Sequence, residues 1–138
     1  MNETQAYRLF VKQFEPSFSA KLHGNKFQSG LPDLIFAKDG KHAFMEFKIV
    51  TGDSLPWSKC RLGQHLTMMQ MLKAGMPVWY IVYSLKTEAF YAISPEEVSE
   101  GARCDLTRGT KISSVRVLLE LLRSTGQAGV PEVSGTHQ

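Results

Sequence analysis

The feature that most constrains this chain is a pair of short apolar segments joined by an Asp-Gly turn. The segments are residues 34–37 and 43–49, and Asp39-Gly40 lies between them. Asp-Gly flanked by apolar runs is a strong signal of a β-hairpin, because both residues tolerate the positive φ angles of a tight turn. The sequence therefore predicts two antiparallel strands here.

Three charged residues interrupt this otherwise apolar hairpin. Asp33 precedes the first strand, and Glu46 and Lys48 lie within the second. Because side chains alternate along a strand, Glu46 and Lys48 share one face. The opposite face carries Met45, Phe47 and Ile49. Since a hairpin folds back on itself, we expect Asp33 to lie beside Glu46.

This arrangement of charges suits a metal ion. Charged groups among strand residues are costly unless they are paired or bind a metal. Two adjacent carboxylates fit a hard cation such as Mg²⁺, which takes oxygen ligands and keeps waters and substrate phosphates as the rest. The sequence thus predicts a site with Asp33 and Glu46 as ligands and Lys48 alongside. A surface carboxylate pair without a metal is the alternative interpretation.

These residues resemble the motif of the PD-(D/E)xK nuclease superfamily. Pro32-Asp33 corresponds to PD, and Glu46-Phe47-Lys48 corresponds to ExK. Among its branches, the chain is most similar to the stand-alone VRR-NUC and Holliday-junction-resolvase-like nucleases of phages and bacteria. Their G-x-x-D-L, E-x-K and Q elements match residues 30–34, residues 46–48 and Gln64 in the same order. The resemblance covers roughly residues 1–93.

The resemblance implies an α/β fold with a small mixed β-sheet flanked by helices, the restriction-endonuclease-like core. It also implies a Mg²⁺-dependent DNA endonuclease, with Mn²⁺ as a substitute metal, whose substrate is branched or junction DNA. The implied catalytic residues are Asp33, Glu46, Lys48 and Gln64. For Gln64, a polar surface position in the first turn of a helix is the alternative.

Two further metal ligands follow from the resemblance, the backbone carbonyl of Phe47 and a glutamate on the first helix. Glu3 is four residues before Tyr7 and therefore extends the inward face of that helix. Its alternative role is the favourable placement of an acidic residue at a helix N-terminus.

A segment of basic and aromatic residues follows the candidate site. Trp57, Lys59 and Arg61 lie in a loop at residues 50–61, and Lys26 lies in a polar loop before the site. Such residues contact a DNA backbone and stack on an unpaired base. The alternative is that Trp57 anchors the loop on the core while the charges are solvated. Lys21 and His23 are further residues that can meet phosphate.

The remaining sequence predicts the order α-β-β-β-α-β-β-α-α. Helices are expected at residues 3–14, 62–75 and 115–122, with a short one from Ser94, and strands at residues 18–23, 34–37, 42–49, 78–83 and 89–93. Leu62, Leu66, Met69 and Leu72 form the expected core stripe of the second helix. Because this helix connects two strands, it suits a parallel crossover.

The bulk properties set the remaining expectations. The length of 138 residues predicts one domain over residues 1–123, which the resemblance makes a nuclease domain, with a flexible tail at residues 124–138. The net charge of +3 permits a polyanionic partner. Cys60 and Cys104 form no zinc or disulfide pattern. Neither a signal peptide nor a membrane span is evident, which favours the cytoplasm of a bacterial or phage-infected cell.

The resemblance also implies a homodimer, because symmetric paired cuts require two sites, and the apolar helix at residues 115–122 can pack either on its own domain or on a second copy. No P-loop or GxGxxG pattern occurs, so no nucleotide cofactor is expected. The rival functional class is a non-catalytic nucleic-acid binding module on a nuclease-like core. The complete set of two acids and a lysine argues against that alternative.

Overall fold

The computed structural model describes residues 1–22 and 30–124, and it contains the predicted hairpin. Strands β2 (Leu34–Lys38) and β3 (Lys41–Val50) pair antiparallel, with Leu34 opposite Met45. The turn residues Asp39 and Gly40 have φ angles of 53° and 77°. These are left-handed conformations, which is why Asp-Gly marks the turn so reliably.

The hairpin forms the centre of a mixed sheet with strand order β1-β2-β3-β5-β6-β8. The other members are β1 (Phe18–Lys21), β5 (Val78–Ser84), β6 (Ala89–Ile93) and β8 (Thr110–Lys111). A further strand, β9 (Arg123–Ser124), pairs with the start of β3. β3 and β5 run parallel, and every other described pairing is antiparallel. The predicted mixed sheet is confirmed.

Helices α1 (Glu3–Phe14) and α3 (Val115–Leu121) cover one face of the sheet. Phe10 of α1 is fully buried, and its ring contacts those of Phe14, Phe36, Phe47 and Phe90. Leu118 of α3 belongs to the same core. Of the two alternatives for the last helix, packing on its own domain or on a second copy, the structure shows packing on its own domain.

Helix α2 (Leu62–Lys73) covers the opposite face and connects β3 to β5. The prediction of its buried stripe was wrong, because Leu62 and Leu66 are 47% and 53% exposed. The buried residues are Gln64, His65, Met68 and Met71. The helix carries apolar residues on two sides, so periodicity alone could not select the inward one.

Two segments predicted as loops contain short regular elements. β4 (Ser54–Pro56) pairs with β7 (Arg103–Asp105) in a separate two-stranded sheet, and 3₁₀ turns follow each of them at Trp57–Lys59 and Leu106–Arg108. The helix expected from Ser94 is a single 3₁₀ turn, Pro95–Glu97. Elements of three residues are too short to show a period, so sequence patterns missed them.

Some predictions fall outside the described residues or were displaced at element ends. Lys26, His23 and the tail beyond Ser124 lie outside the described ranges. β1 ends at Lys21 and α2 at Lys73, each two residues earlier than predicted. Within the described ranges, no helix has both the length and the apolar character needed to cross a membrane.

Candidate active site

The two acids of the hairpin meet at its open end. The β2–β3 register places Leu34 opposite Met45, so the preceding residue, Asp33, lies beside Glu46. The backbone N–H of Asp33 donates a hydrogen bond to Glu46 Oε1 at 3.0 Å. This contact fixes the Glu46 carboxylate against the start of β2 and gives the closeness that the sequence predicted.

Glu3 joins this pair from the first turn of α1. The carboxylates of Glu3, Asp33 and Glu46 each offer an oxygen within 4.8 Å of the other two. Asn2 holds the turn through a capping box with Gln5, in which each side chain bonds the backbone N–H of the other residue. The acidic group, which we define as Glu3, Asp33 and Glu46, offers the oxygen ligands that a hard divalent cation prefers.

Lys48 is buried next to the acidic group. Its Nζ lies 3.4 Å from Glu46 Oε2, and the two residues are 5% and 2% exposed. Removing one partner of a buried ion pair leaves the other charge uncompensated, which is costly. The two side chains share a strand face, as their spacing predicted, and Tyr80 lies opposite Glu46 on the parallel neighbour β5.

The Glu46 carboxylate is held in an environment that disfavours its charge. Burial, and secondarily the negative charge of Asp33, raise the pKa of Glu46 to about 7, although Lys48 acts in the opposite direction. A cation bound between the carboxylates would favour the ionised form. The site is therefore built so that a divalent cation removes an electrostatic penalty.

A cavity of about 190 Å³ opens on the α1 side of the acidic group. Its walls include two of the three acids together with Tyr7, Lys21, Leu22 and Phe47. The Nζ of Lys21 lies 5.0 Å from the centroid of the Tyr7 ring. This cavity opens the carboxylates of Glu3 and Asp33 to solvent.

The fold resembles that of a Holliday junction resolvase. The solved structure of Hjc, a Holliday junction resolvase from the archaeal hyperthermophile Archaeoglobus fulgidus, matches with a TM-score of 0.61. The match covers 83% of this chain and 96% of Hjc, at 10% sequence identity. At that identity the likeness concerns the fold alone, and at that level the expected nuclease-like core is confirmed. No protein-family model and no curated protein matches the chain.

Gln64 is a buried residue of this Hjc-like fold rather than the surface residue that was the alternative. It is 2% exposed, and its Nε2 donates to the backbone oxygen of Leu31 at 3.4 Å. Its Oε1 is buried and accepts no hydrogen bond from the described residues. A buried acceptor without a partner needs an explanation. A substrate group or a water molecule at the site would supply the missing donor.

Sequence reasoning missed a polar cluster behind Glu46. His65 Nδ1 lies 2.9 Å from the hydroxyl of Tyr80, and their rings stack. Burial lowers the pKa of His65, so the ring stays neutral near physiological pH. The sequence of β5 is a continuous apolar run and does not single out Tyr80. The pairing of Tyr80 with Glu46 in the β3–β5 register is the feature that indicates that Tyr80 faces the site.

The predicted DNA-contacting residues lie at two places near this cluster. The Trp57 ring meets the edge of the His65 ring at 5.4 Å and packs against the α2-side core. Lys59 lines a polar cleft with Val50 and Arg103, beyond the end of β3. Arg61 is exposed directly before α2. The packing of Trp57 favours its role as the anchor of this loop.

Proposed function

We propose that this protein is a metal-dependent endonuclease that hydrolyses phosphodiester bonds in branched DNA. The observation that carries the proposal is the convergence of three carboxylates beside a buried lysine. The similar solved structure, Hjc, is a Holliday junction resolvase, which supports a junction as the first substrate to test. A stand-alone VRR-NUC or resolvase-like nuclease of a phage or bacterium is the family we propose.

Glu3, Asp33, Glu46 and the backbone carbonyl of Phe47 are the proposed ligands of Mg²⁺, with Mn²⁺ as a substitute. All four supply oxygen, so the donor set fits a hard divalent cation rather than a softer one. When bound, this cation polarises the scissile phosphate and lowers the pKa of a coordinated water.

The buried side chains around the carboxylates position the reaction. Lys48, held beside Glu46, orients the attacking water and offsets the negative charge that grows on the phosphate in the transition state. Gln64 uses its free Oε1 to accept a hydrogen bond from that water, while its amide nitrogen stays on Leu31. Asp33, Glu46, Lys48 and Gln64 are therefore the proposed catalytic residues.

Three further basic residues are the proposed contacts to the DNA backbone. Lys26, Lys59 and Arg61 neutralise phosphates without reading sequence, so affinity should fall steeply with salt. Trp57 holds the loop that carries two of them in place, and its exposed part is available to an unpaired base.

The proposal includes a homodimer, a single domain over residues 1–123 and a cytoplasmic location. A branched substrate with two equivalent strands is cut symmetrically when two sites are related by a two-fold axis. α3 packs into its own core, so we assign the interface to α2, whose outer face exposes Leu62 and Leu66.

A panel of labelled substrates tests the proposal. The panel comprises linear duplex, single strand, flap, four-way junction and RNA, each incubated with Mg²⁺ or Mn²⁺. We expect metal-dependent product from the junction, and none from Asp33→Asn protein prepared in the same way. Glu120→Gln is the matched control, because it also removes one carboxylate charge, on the exposed face of α3. Binding without product in either metal would support the non-catalytic module instead.

A further inference from the structure

We propose that Lys21, seated over the ring of Tyr7, is a second phosphate-binding subsite for the DNA phosphate that neighbours the cleaved one. The inference rests on the proposed nuclease function and adds a substrate contact on the α1 side of the acidic group. Lys48 lies on the other side, facing α2. A DNA strand that crosses the carboxylates would then meet one ammonium on each side.

The backbone of Lys21 is fixed close to the acidic group. In the β1–β2 register Lys21 is the partner of Leu34, the residue that follows Asp33. The N–H of Leu22 donates to the backbone oxygen of Asp33 at 2.7 Å. The cavity wall that carries Lys21 is therefore tied to the wall that carries Asp33.

The direction of the Lys21 side chain follows from that pairing. Directly opposed residues of antiparallel strands point to the same face, and Leu34 belongs to the α1-side core. Lys21 accordingly points toward α1, where its Nζ lies 5.0 Å from the Tyr7 ring centroid. Tyr7 itself is positioned by an edge-to-face contact with Phe47, with ring centroids 5.9 Å apart.

The charge of Lys21 is not committed to an acidic residue. In the described parts of the chain, residues 1–22 and 30–124, no carboxylate lies within ion-pair distance of its Nζ, although Glu3 and Asp33 line the same cavity. A cation–π contact orients an ammonium without neutralising it or using up its three hydrogen-bond donors. These donors are available to phosphate oxygens.

The charge balance of the site requires such a group. Three carboxylates repel a phosphate, and one divalent cation together with Lys48 only neutralises them. Lys21 makes the α1-side cavity net positive once that cation is bound, which favours a phosphate there. The Lys21 ammonium lies over the Tyr7 ring and, among the described residues, pairs with neither Glu3 nor Asp33.

The first measurement is DNA binding by fluorescence anisotropy with a fixed excess of Mg²⁺, so that the cation site is filled, read before product forms and repeated across a series of salt concentrations. Lys21→Met should weaken junction binding about 5- to 10-fold near 0.1 M salt and reduce the slope of log affinity against log salt by about 1, as expected for one lost phosphate contact. Lys41→Met is the charge-matched control, because Lys41 lies beside the hairpin turn at the far end of β3.

Tyr7 variants separate the subsite from a general charge effect. Tyr7→Phe keeps the ring and should bind like wild type, whereas Tyr7→Leu should lose affinity in the same direction as Lys21→Met. Thermal melts of each variant exclude unfolding as the cause. Lys21→Arg should retain most of the wild-type affinity.

A DNA junction with one neutral methylphosphonate, placed in turn at each phosphate around the branch point, supplies the decisive test. At one position the substitution should weaken wild-type binding but leave Lys21→Met binding unchanged. If no position behaves in this way, or if Lys21→Met and Lys41→Met have equal effects, the subsite is ruled out. A raised KM with an unchanged kcat for Lys21→Met in Mg²⁺ would agree with the subsite. Absence of cleavage by the wild type would refute the nuclease proposal separately, without affecting this binding result.

Discussion

At the residue scale, the buried position of Glu46 is costly to the metal-free protein. Its pKa is raised from 4.5 to about 7 by burial and by the neighbouring Asp33. The folded state therefore holds a proton that the unfolded state releases above about pH 4.5. Stability supplied by the neutral carboxyl is complete below that pH and is lost as pH rises to about 7.

Glu46→Gln should therefore remove the pH dependence that Glu46 gives to the stability of the metal-free protein. The substitution also leaves the buried Lys48 ammonium without its partner, a cost that is present at both pH values, so the informative quantity is the change with pH. We expect the free energy of unfolding of Glu46→Gln, relative to wild type, to rise by on the order of 1–3 kcal/mol between pH 5 and pH 8. Urea denaturation in chelator measures this change. Glu120→Gln, at an exposed position on α3, should show no such pH dependence. A relative stability of Glu46→Gln that does not rise between pH 5 and pH 8 would contradict the electrostatic account.

Lys48 should separate catalysis from binding. Lys48→Ala removes the ammonium that lies 3.4 Å from Glu46, and we expect cleavage to fall by at least about 10²- to 10³-fold. Junction binding should remain within about twofold, because the buried Lys48 ammonium is already paired with Glu46. Single-turnover cleavage and anisotropy on one preparation measure both quantities. Equal loss of both would indicate a folding role, and Lys41→Ala controls for the loss of charge.

At the scale of elements, the first turn of α1 connects local structure to metal binding. Asn2→Ala removes the side chain that accepts from the Gln5 N–H, so the turn carrying Glu3 should fray. We expect a loss of about 0.5–2 kcal/mol in stability and weaker Mn²⁺ binding by calorimetry.

Ser114→Ala is the matched control for this prediction. It removes the corresponding cap of α3, where Ser114 Oγ accepts from the Val117 N–H, far from the carboxylates. It should lower stability without changing Mn²⁺ affinity. Equal Mn²⁺ affinity of Asn2→Ala and wild type would show that Glu3 is not a ligand.

The sequence predicted those elements that are specified by residues close together in the chain, and it did not predict features that depend on distant residues. The hairpin was predicted because Asp39 and Gly40 specify their own turn, and α1 because Asn2 and Gln5 form a local box. The inward face of α2 was not predictable, since it is chosen by the sheet beneath a helix that is apolar on two sides. The same holds for β4 and β7, whose pairing depends on residues about fifty positions apart.

The site shows the same division. Asp33, Glu46 and Lys48 were placed by strand alternation and hairpin register alone. Gln64 was expected at the site from the resemblance, although its burial was not. The Tyr7–Lys21 contact and the His65–Tyr80 hydrogen bond join separate elements, so no spacing in the sequence reveals them.

At the scale of the whole molecule, the outer face of α2 is the surface that we propose for association with a second copy. An exposed groove of about 410 Å³ runs along Leu66, Met69 and Leu72, with Lys73 and Glu96 also lining it. In a two-fold interface, if residue i of one copy contacts residue j of the other, then j also contacts i. Lys73 of each copy can therefore pair with Glu96 of the other copy. Neither residue forms an ion pair within the described part of one chain.

Leu66→Glu should convert a dimer into a monomer, as measured by light scattering during gel filtration, without DNA or metal. Leu85→Glu is the control, because Leu85 is 40% exposed in the turn after β5. Lys73→Glu and Glu96→Lys should each weaken association, and the double variant should restore it. A wild-type protein that stays monomeric well above micromolar concentration would contradict this assignment.

We infer that Glu3, Asp33 and Glu46 share one divalent cation. Anomalous diffraction from crystals grown with Mn²⁺ locates that ion. We predict an anomalous peak about 2.0–2.3 Å from a carboxylate oxygen of each of the three residues, and no such peak in Asp33→Asn crystals. Wild-type crystals in which Mn²⁺ occupies other positions while these three carboxylates hold no ion would contradict the claim.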